Sequence, residues 1–101
     1  MKIQIRERNQ PLTEAERSDV EGRLAFTLAR FSDRIAKVVV RLSDAGVSGE
    51  GALDKRCQID VDIRPQTLHV EDKDANLLAA FNRATGRLAR AVARALEHER
   101  E

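Results

Sequence analysis

The chain of 101 residues has one cysteine, two histidines, two prolines, three phenylalanines as its only aromatics, and no long apolar run. One cysteine forms no internal disulfide, and His69 and His98 are too few for a usual zinc site. No stretch approaches the roughly 20 apolar residues of a membrane span, so no membrane partner is expected. The opening MKIQIRERNQ alternates charge with isoleucine, whereas a secretory signal carries a continuous apolar segment. A reduced, cytoplasmic setting is the natural expectation. A nucleophile elbow, a P-loop and a metal-ligand cluster are also missing. Gly46, Gly49 and Gly51 crowd into DAGVSGEGALD, but they lack the G-x-G-x-x-G spacing and lead into no helix. They suggest a flexible hairpin loop, not a phosphate cradle. The sequence therefore predicts no enzyme: no catalytic residue, no metal, no cofactor and no small-molecule substrate.

What is present suits a folded, soluble chain: 42% of residues are apolar and 35% charged, and a disordered chain would be poorer in Leu, Ile and Val. The length fits one domain over residues 1–101 with a single core. The net charge of +1 conceals an asymmetry. Between Lys73 and Leu96 stand Lys73, Arg83, Arg87, Arg90 and Arg94 against the single Asp74, while the first 72 residues and the closing EHERE are each slightly acidic. Concentrated charge says more about partners than the total does.

Period-two alternation in KIQIRER (Lys2–Arg8) predicts a strand with Ile3 and Ile5 on one face. Thr13 and Glu16 form a capping-box pattern that starts a helix, expected to reach Phe31 and to bury Val20, Leu24, Leu28 and Phe31. AKVVVRLS (Ala36–Ser43) is β-branched enough for a second strand. KRCQIDVDIR alternates Cys57, Ile59, Val61 and Ile63 inward with Arg56, Gln58, Asp60, Asp62 and Arg64 outward. Pro65 and Gln66 turn into TLHVED, with Leu68 and Val70 inward, and Asp74 is the expected N-cap of a last helix to about Glu97. The order is β-α-β-β-β-α. Each strand has one apolar face, so both helices must cover the same side of a four-stranded mixed sheet. The expected fold is an α/β (α+β) two-layer sandwich.

At about 100° per residue, Leu77, Phe81, Leu88, Val92 and Ala95 share one side of the last helix. Arg83, Arg87, Arg90 and Arg94 fall within an arc of roughly 60° well away from it. No acid stands at i±4 to relieve their repulsion, which costs a few tenths of a kcal/mol per pair. Such a ridge is either a solvated face or a surface for a polyanion, and Arg in preference to Lys suits bidentate phosphate contact. Arg23, Phe26 and Arg30 make a weaker cluster on the first helix. Phe26 there either stacks on a base or, as the more ordinary expectation, tucks against the last helix. Gly86 on the outward side either admits an RNA backbone or has no role.

Asp60 and Asp62 project from one strand face roughly 7 Å apart, where an acid/base or metal role is conceivable. No histidine or third carboxylate on that strand joins them, and the simpler expectation is a solvated face with Arg56 and Arg64 as partners. Cys57 alternates with Ile59 and is expected as a small buried hydrophobe.

The element order, the opening MKIQIRERNQPLTEAERSDVEGRLAFTLARFSDRI and the closing HVEDKDANLLAAFNRATGRLARAVAR resemble the ribosome hibernation-promoting factor family, also called ribosome-associated inhibitors. The matching parts are the LTEA start of the first helix, its RFSDRI exit and the DANLLAAFNRA entry to the last. The resemblance implies a bacterial protein that binds the small ribosomal subunit where mRNA and tRNA sit, contacts ribosomal RNA through basic residues of both helices, and regulates translation under starvation stress. Carried over, the RNA-binding residues are Arg83, Arg87, Arg90 and Arg94, with Arg23 and Arg30 beside them. Long family members add a second domain that pairs ribosomes, for which this chain has no room. Short members often end in lysines where this chain ends EHERE, and fewer phosphate contacts predict a flatter salt dependence. Two other classes fit the same residues: an RNA-binding module outside the ribosome, and a protein-interaction domain using the exposed sheet face.

Overall fold

A computed structural model describes residues 1–8, 11–47 and 53–99. The alternating opening forms β1 (Lys2–Arg8), followed by α1 (Glu14–Leu28) and one turn of 3-10 helix over Ala29–Phe31. Then come β2 (Lys37–Val47), β3 (Leu53–Ile63), β4 (Gln66–Asp74) and α2 (Leu77–Glu99). The expected order holds. The sheet is arranged β1-β2-β3-β4, with β1 parallel to β2 and the two later pairings antiparallel.

Local chemistry explains the boundaries. Thr13 and Glu16 complete the capping box in both directions: the Thr13 hydroxyl accepts from the Glu16 amide at 3.1 Å, and the Glu16 carboxylate accepts from the Thr13 amide at 3.0 Å. The α-helix ends three residues before the expected Phe31, and the last turn tightens into the 3-10 form that satisfies leftover carbonyls. Asp74 is not the N-cap of α2. Asn76 is: its side-chain oxygen accepts from the Ala79 amide at 3.1 Å, while Asp74 accepts from the Asn76 amide at 2.8 Å. β2 and β3 run beyond the expected ends, and their register shifts between Asp44 and Gly46, where an extra residue bulges. The expected glycine loop lies mostly at 48–52, outside the described residues. The β3–β4 turn contains a cis Arg64–Pro65 peptide bond.

The apolar faces meet in one cluster. Val20, Leu24 and Leu28 of α1, Val38, Val40 and Leu42 of β2, Cys57, Ile59, Val61 and Ile63 of β3, and Ala80, Phe81, Ala84, Leu88 and Val92 of α2 are all buried in it. Ile3, Ile5, Phe31, Leu68, Val70 and Leu77 pack around its margin. Burial of each large member contributes about 1.5–3 kcal/mol, which is why both helices are held on one face of the sheet. The opposite face is left to polar side chains apart from Val39, which is buried among them, and the outward ridges of the helices are left to solvent.

Candidate nucleic-acid interface

The packing of Phe81, Leu88 and Val92 downward sets the rotation of α2, so Arg83, Arg87, Arg90 and Arg94 emerge together on its exposed side. They are not equivalent. Arg83 Nη2 donates to Asp74 Oδ2 at 2.8 Å, to the Lys73 carbonyl at 2.8 Å and to Asp72 Oδ1 at 3.3 Å. Arg87 Nη1 reaches the Glu71 carbonyl at 3.4 Å, and its Nε lies 3.6 Å from Asp72 Oδ2. No acid sits at i±4 along the helix, yet acids from β4 neutralise half of the ridge. The alternation of Leu68 and Val70 continues to put Asp72 and Asp74 on the helix-facing side of β4, but which arginines stand over them follows only from how α2 packs on the sheet.

Asp72 is held as a carboxylate. Burial pushes its pKa up, but hydrogen bonds from Arg83 and the Lys73 amide and the charges of Arg83 and Arg87 outweigh that, leaving it below the usual value. The Asn76 amide and then Arg83 lower Asp74 likewise, and Asp74 and Asp72 raise Arg83 in return. Arg90 and Arg94 differ. Both are exposed, and among the described residues neither has an ion-pair or hydrogen-bond partner. With Arg87 they line a shallow cavity shared with His69, Val70 and Glu71 of β4.

On α1, Arg23 Nη1 donates to Asn82 Oδ1 of α2 at 2.8 Å, tying the two helices at their surface. Arg30 lies in the 3-10 turn with its guanidinium 4.6 Å from the centre of the Phe31 ring. Phe26 is not tucked against α2: it is 87% exposed, because it stands off the stripe through which α1 packs. A Cβ on Gly86 would meet only Arg90 Nη1, at 3.9 Å, so nothing in the fold requires glycine there.

The outer sheet face differs in its pairing from the expectation. Asp60 is bound by Arg41 of β2 and His69 of β4, not by Arg56. Asp62 has Arg64 at 3.9 Å, and Arg56 turns to Glu71 at 3.3 Å. The register explains it, since Asp60 stands opposite both Val39 and His69 and is diagonal to Arg41. Hydrogen bonding to Asp60, and more weakly to Glu71, raises the His69 pKa. The Cys57 thiol is fully enclosed, and burial, helped by the charge of Asp72, pushes its pKa up to about 12. Among the described residues no group of three or more His, Cys, Asp or Glu could hold a metal ion, and no helix is long and apolar enough to cross a membrane.

The helical side of this two-layer fold carries an arginine ridge, and basic charge concentrated on one surface raises the local concentration of anions there. The chain belongs to the sigma 54 modulation protein / S30EA ribosomal protein family, whose model matches residues 3–100. No curated protein matches it. Among solved structures it is similar to the N-terminal domain of Protein Y from Thermus thermophilus, with 35% identity and a TM-score of 0.74, covering 93% of this chain and 98% of that one. A ribosomal subunit interface protein from Coxiella burnetii has the same fold at 15% identity, with a TM-score of 0.77, covering 96% of this chain and 99% of that one. The family and the fold read from the sequence both hold.

Proposed function

We propose that this protein is a hibernation factor: a non-enzymatic, ribosome-associated translation inhibitor of the bacterial cytoplasm that acts under stress as a single domain. Its partner is the small ribosomal subunit, and its helix faces bind ribosomal RNA near the channel for mRNA and tRNA. One observation carries the reading: a four-arginine ridge on α2 whose last two members, Arg90 and Arg94, are exposed with no partner among the described residues. Unpaired guanidinium groups raise the free energy of the isolated protein by mutual repulsion and release it on meeting phosphates. Family membership supports the ribosome as partner, and the Coxiella relative is itself a subunit interface protein. Arg87 and Arg83 add to the grip from the strand side, Arg23 from α1 and Arg30 from the 3-10 turn after it, and exposed Phe26 offers a ring on which a base can stack.

Co-sedimentation with vacant ribosomes at two salt concentrations tests this. Arg90→Glu with Arg94→Glu is the informative variant, because it leaves the Asp72 and Asp74 pairings of Arg83 intact. The natural protein is expected to travel with the small subunit and to weaken as salt rises. The variant is expected to lose at least about tenfold in affinity, as the log–log salt slope shrinks by roughly 0.7–0.9 per lost phosphate contact. If the natural protein binds no ribosome, or prefers naked duplex RNA, the hibernation reading fails.

A further inference from the structure

The outer face of the sheet is divided by charge. On β3 and β4 it carries Asp60, Asp62 and Glu71, each matched to a base. On β1 and β2 the outward positions are Lys2, Gln4, Arg6 and Arg8 beside Lys37, Val39, Arg41 and Ser43, with no acid among them. The parallel register sets like charges side by side, Lys2 next to Lys37 and Arg6 next to Arg41. Neighbouring strands are about 4.8 Å apart, so the Lys2–Lys37 pairing costs stability, while beside Arg6 the charge of Arg41 is offset by its ion pair with Asp60. At one end of this half-face, Arg6, Arg8, Arg41, Ser43, Arg56 and Gln58 line a cavity, in two register rows: Arg6–Arg41–Gln58 and Arg8–Ser43–Arg56. Glu7 and Asp44 also border it, but Glu7 is engaged by Arg17 and the Leu12 amide, and Asp44 by Lys55 at 3.0 Å. Arg6 and Arg8 are exposed and have no partner among the described residues.

We infer that this β1/β2 half-face is a second phosphate-binding surface, distinct from the helix ridge, that takes the backbone of a single RNA strand. Arginine forks suit phosphate oxygens. Arg6 and Arg8 offer theirs with no internal partner among the described residues, and Ser43 adds a hydroxyl donor. Arg41, Arg56 and Gln58, each already joined to Asp60 or Glu71, flank them with the N–H groups they have left. Arg6 and Arg8 are about 7 Å apart along the strand, and Arg41 and Arg56 about 7–8 Å apart on the diagonal. Separate phosphodiester groups of one strand can occupy such spacings, whereas the phosphates of a compact polyphosphate share bridging oxygens and lie closer. Lys2 and Lys37 extend the track to about 20 Å, counted from Lys2 to Arg8 at about 3.3 Å per residue. An acidic protein is the poorer fit, because a protein interface centres on desolvated aromatic or aliphatic anchors, and the one aliphatic side chain on the track, Val39, is buried beneath its neighbours. It presents no aromatic for a base either, so the contact reads backbone and not sequence. The inference rests on the proposed function only in taking RNA as the partner.

Fluorescence anisotropy with a 20-nucleotide oligouridine, on the full chain, tests it. Arg6→Gln with Arg8→Gln is expected to weaken oligouridine binding about tenfold and to flatten the salt slope by about 1.4, two contacts at roughly 0.7 each. Thermal melts should show both variant and parent folded, since neither arginine has a partner to lose among the described residues. In parallel, Arg90→Glu with Arg94→Glu is expected to lose ribosomes while keeping the sheet-dependent part of oligouridine binding. Unchanged oligouridine affinity and slope in the sheet variant overturn the second surface and leave the ribosome reading standing. Polyglutamate binding to the natural protein in place of RNA, abolished by the sheet variant, also overturns it. Retained ribosome binding by the helix variant, with loss in the sheet variant, upholds this surface and removes the helix grip.

Discussion

Cys57 and His69 sit in opposite electrostatic settings, on the two faces of adjoining strands. Cys57 is enclosed, and its thiol is pushed up to about 12, so almost no thiolate exists near neutral pH. Iodoacetamide at pH 8 is expected to leave the folded protein unmodified by mass spectrometry and to add one label once denaturant is present; rapid labelling of the native state would show that the core opens at β3. His69 is half exposed between Asp60 and Glu71, and its pKa is raised chiefly by the hydrogen bond to Asp60. A raised histidine contributes stability that is fully present below its unfolded value, about 6.5, and is lost as pH rises through the folded value. Urea midpoints are expected to fall across that window in the natural protein and to stay flat there in His69→Gln. Asp60 has the opposite sign: its carboxyl is lowered despite partial burial, so its contribution disappears only as acid brings the pH down through the folded value.

Among elements, α2 shows what a one-dimensional pattern carries and where it stops. Helical spacing alone identified the buried side through Phe81, Leu88 and Val92, and the exposed side through four arginines, because both follow from 3.6 residues per turn. The strands were equally legible, since Cys57, Ile59, Val61 and Ile63 alternate and the structure buries all four. Three things were not legible. The cap fell on Asn76 because Asp74 is still strand, paired with Lys55, and two nearby side chains compete for the same role. The exposure of Phe26 was not legible because a wheel position off the packing stripe does not reveal how far apart two helices sit. The pairing of Arg83 and Arg87 with Asp72 depends on which strand lies under the helix, a tertiary fact. Gly86 makes this testable: a Cβ meets only Arg90 Nη1 at 3.9 Å, so Gly86→Ala is expected to stabilise by about 0.5–1 kcal/mol. Urea denaturation checks the gain. If the same change weakens ribosome co-sedimentation, the glycine is retained for close approach of a backbone; an unaltered affinity would assign it no role.

For the whole molecule, the near-neutral total hides two basic surfaces on opposite sides of a body 47 × 29 × 17 Å in extent. On the strand side of α2, arginines are balanced by Asp72 and Asp74. At Arg90 and Arg94 they are left facing their own kind, and on β1/β2 the same pattern recurs at Arg6 and Arg8. Charge placed in this way works against folding and in favour of binding, so stability and affinity should respond to the same mutation with opposite signs. Arg90→Glu is the sharpest case. It replaces two repulsions, with Arg87 at i−3 and Arg94 at i+4, by two attractions, each change being worth a few tenths of a kcal/mol. A gain of about 0.5–1 kcal/mol corresponds to a rise in Tm of about 2–8 °C for a chain of this size, and the rise should shrink as added salt screens the pairs. Ribosome affinity should fall in the same variant, with a shallower salt slope. A Tm that drops would mean that Arg90 supports the fold through contacts of its own, and the ridge would then be an ordinary solvated face.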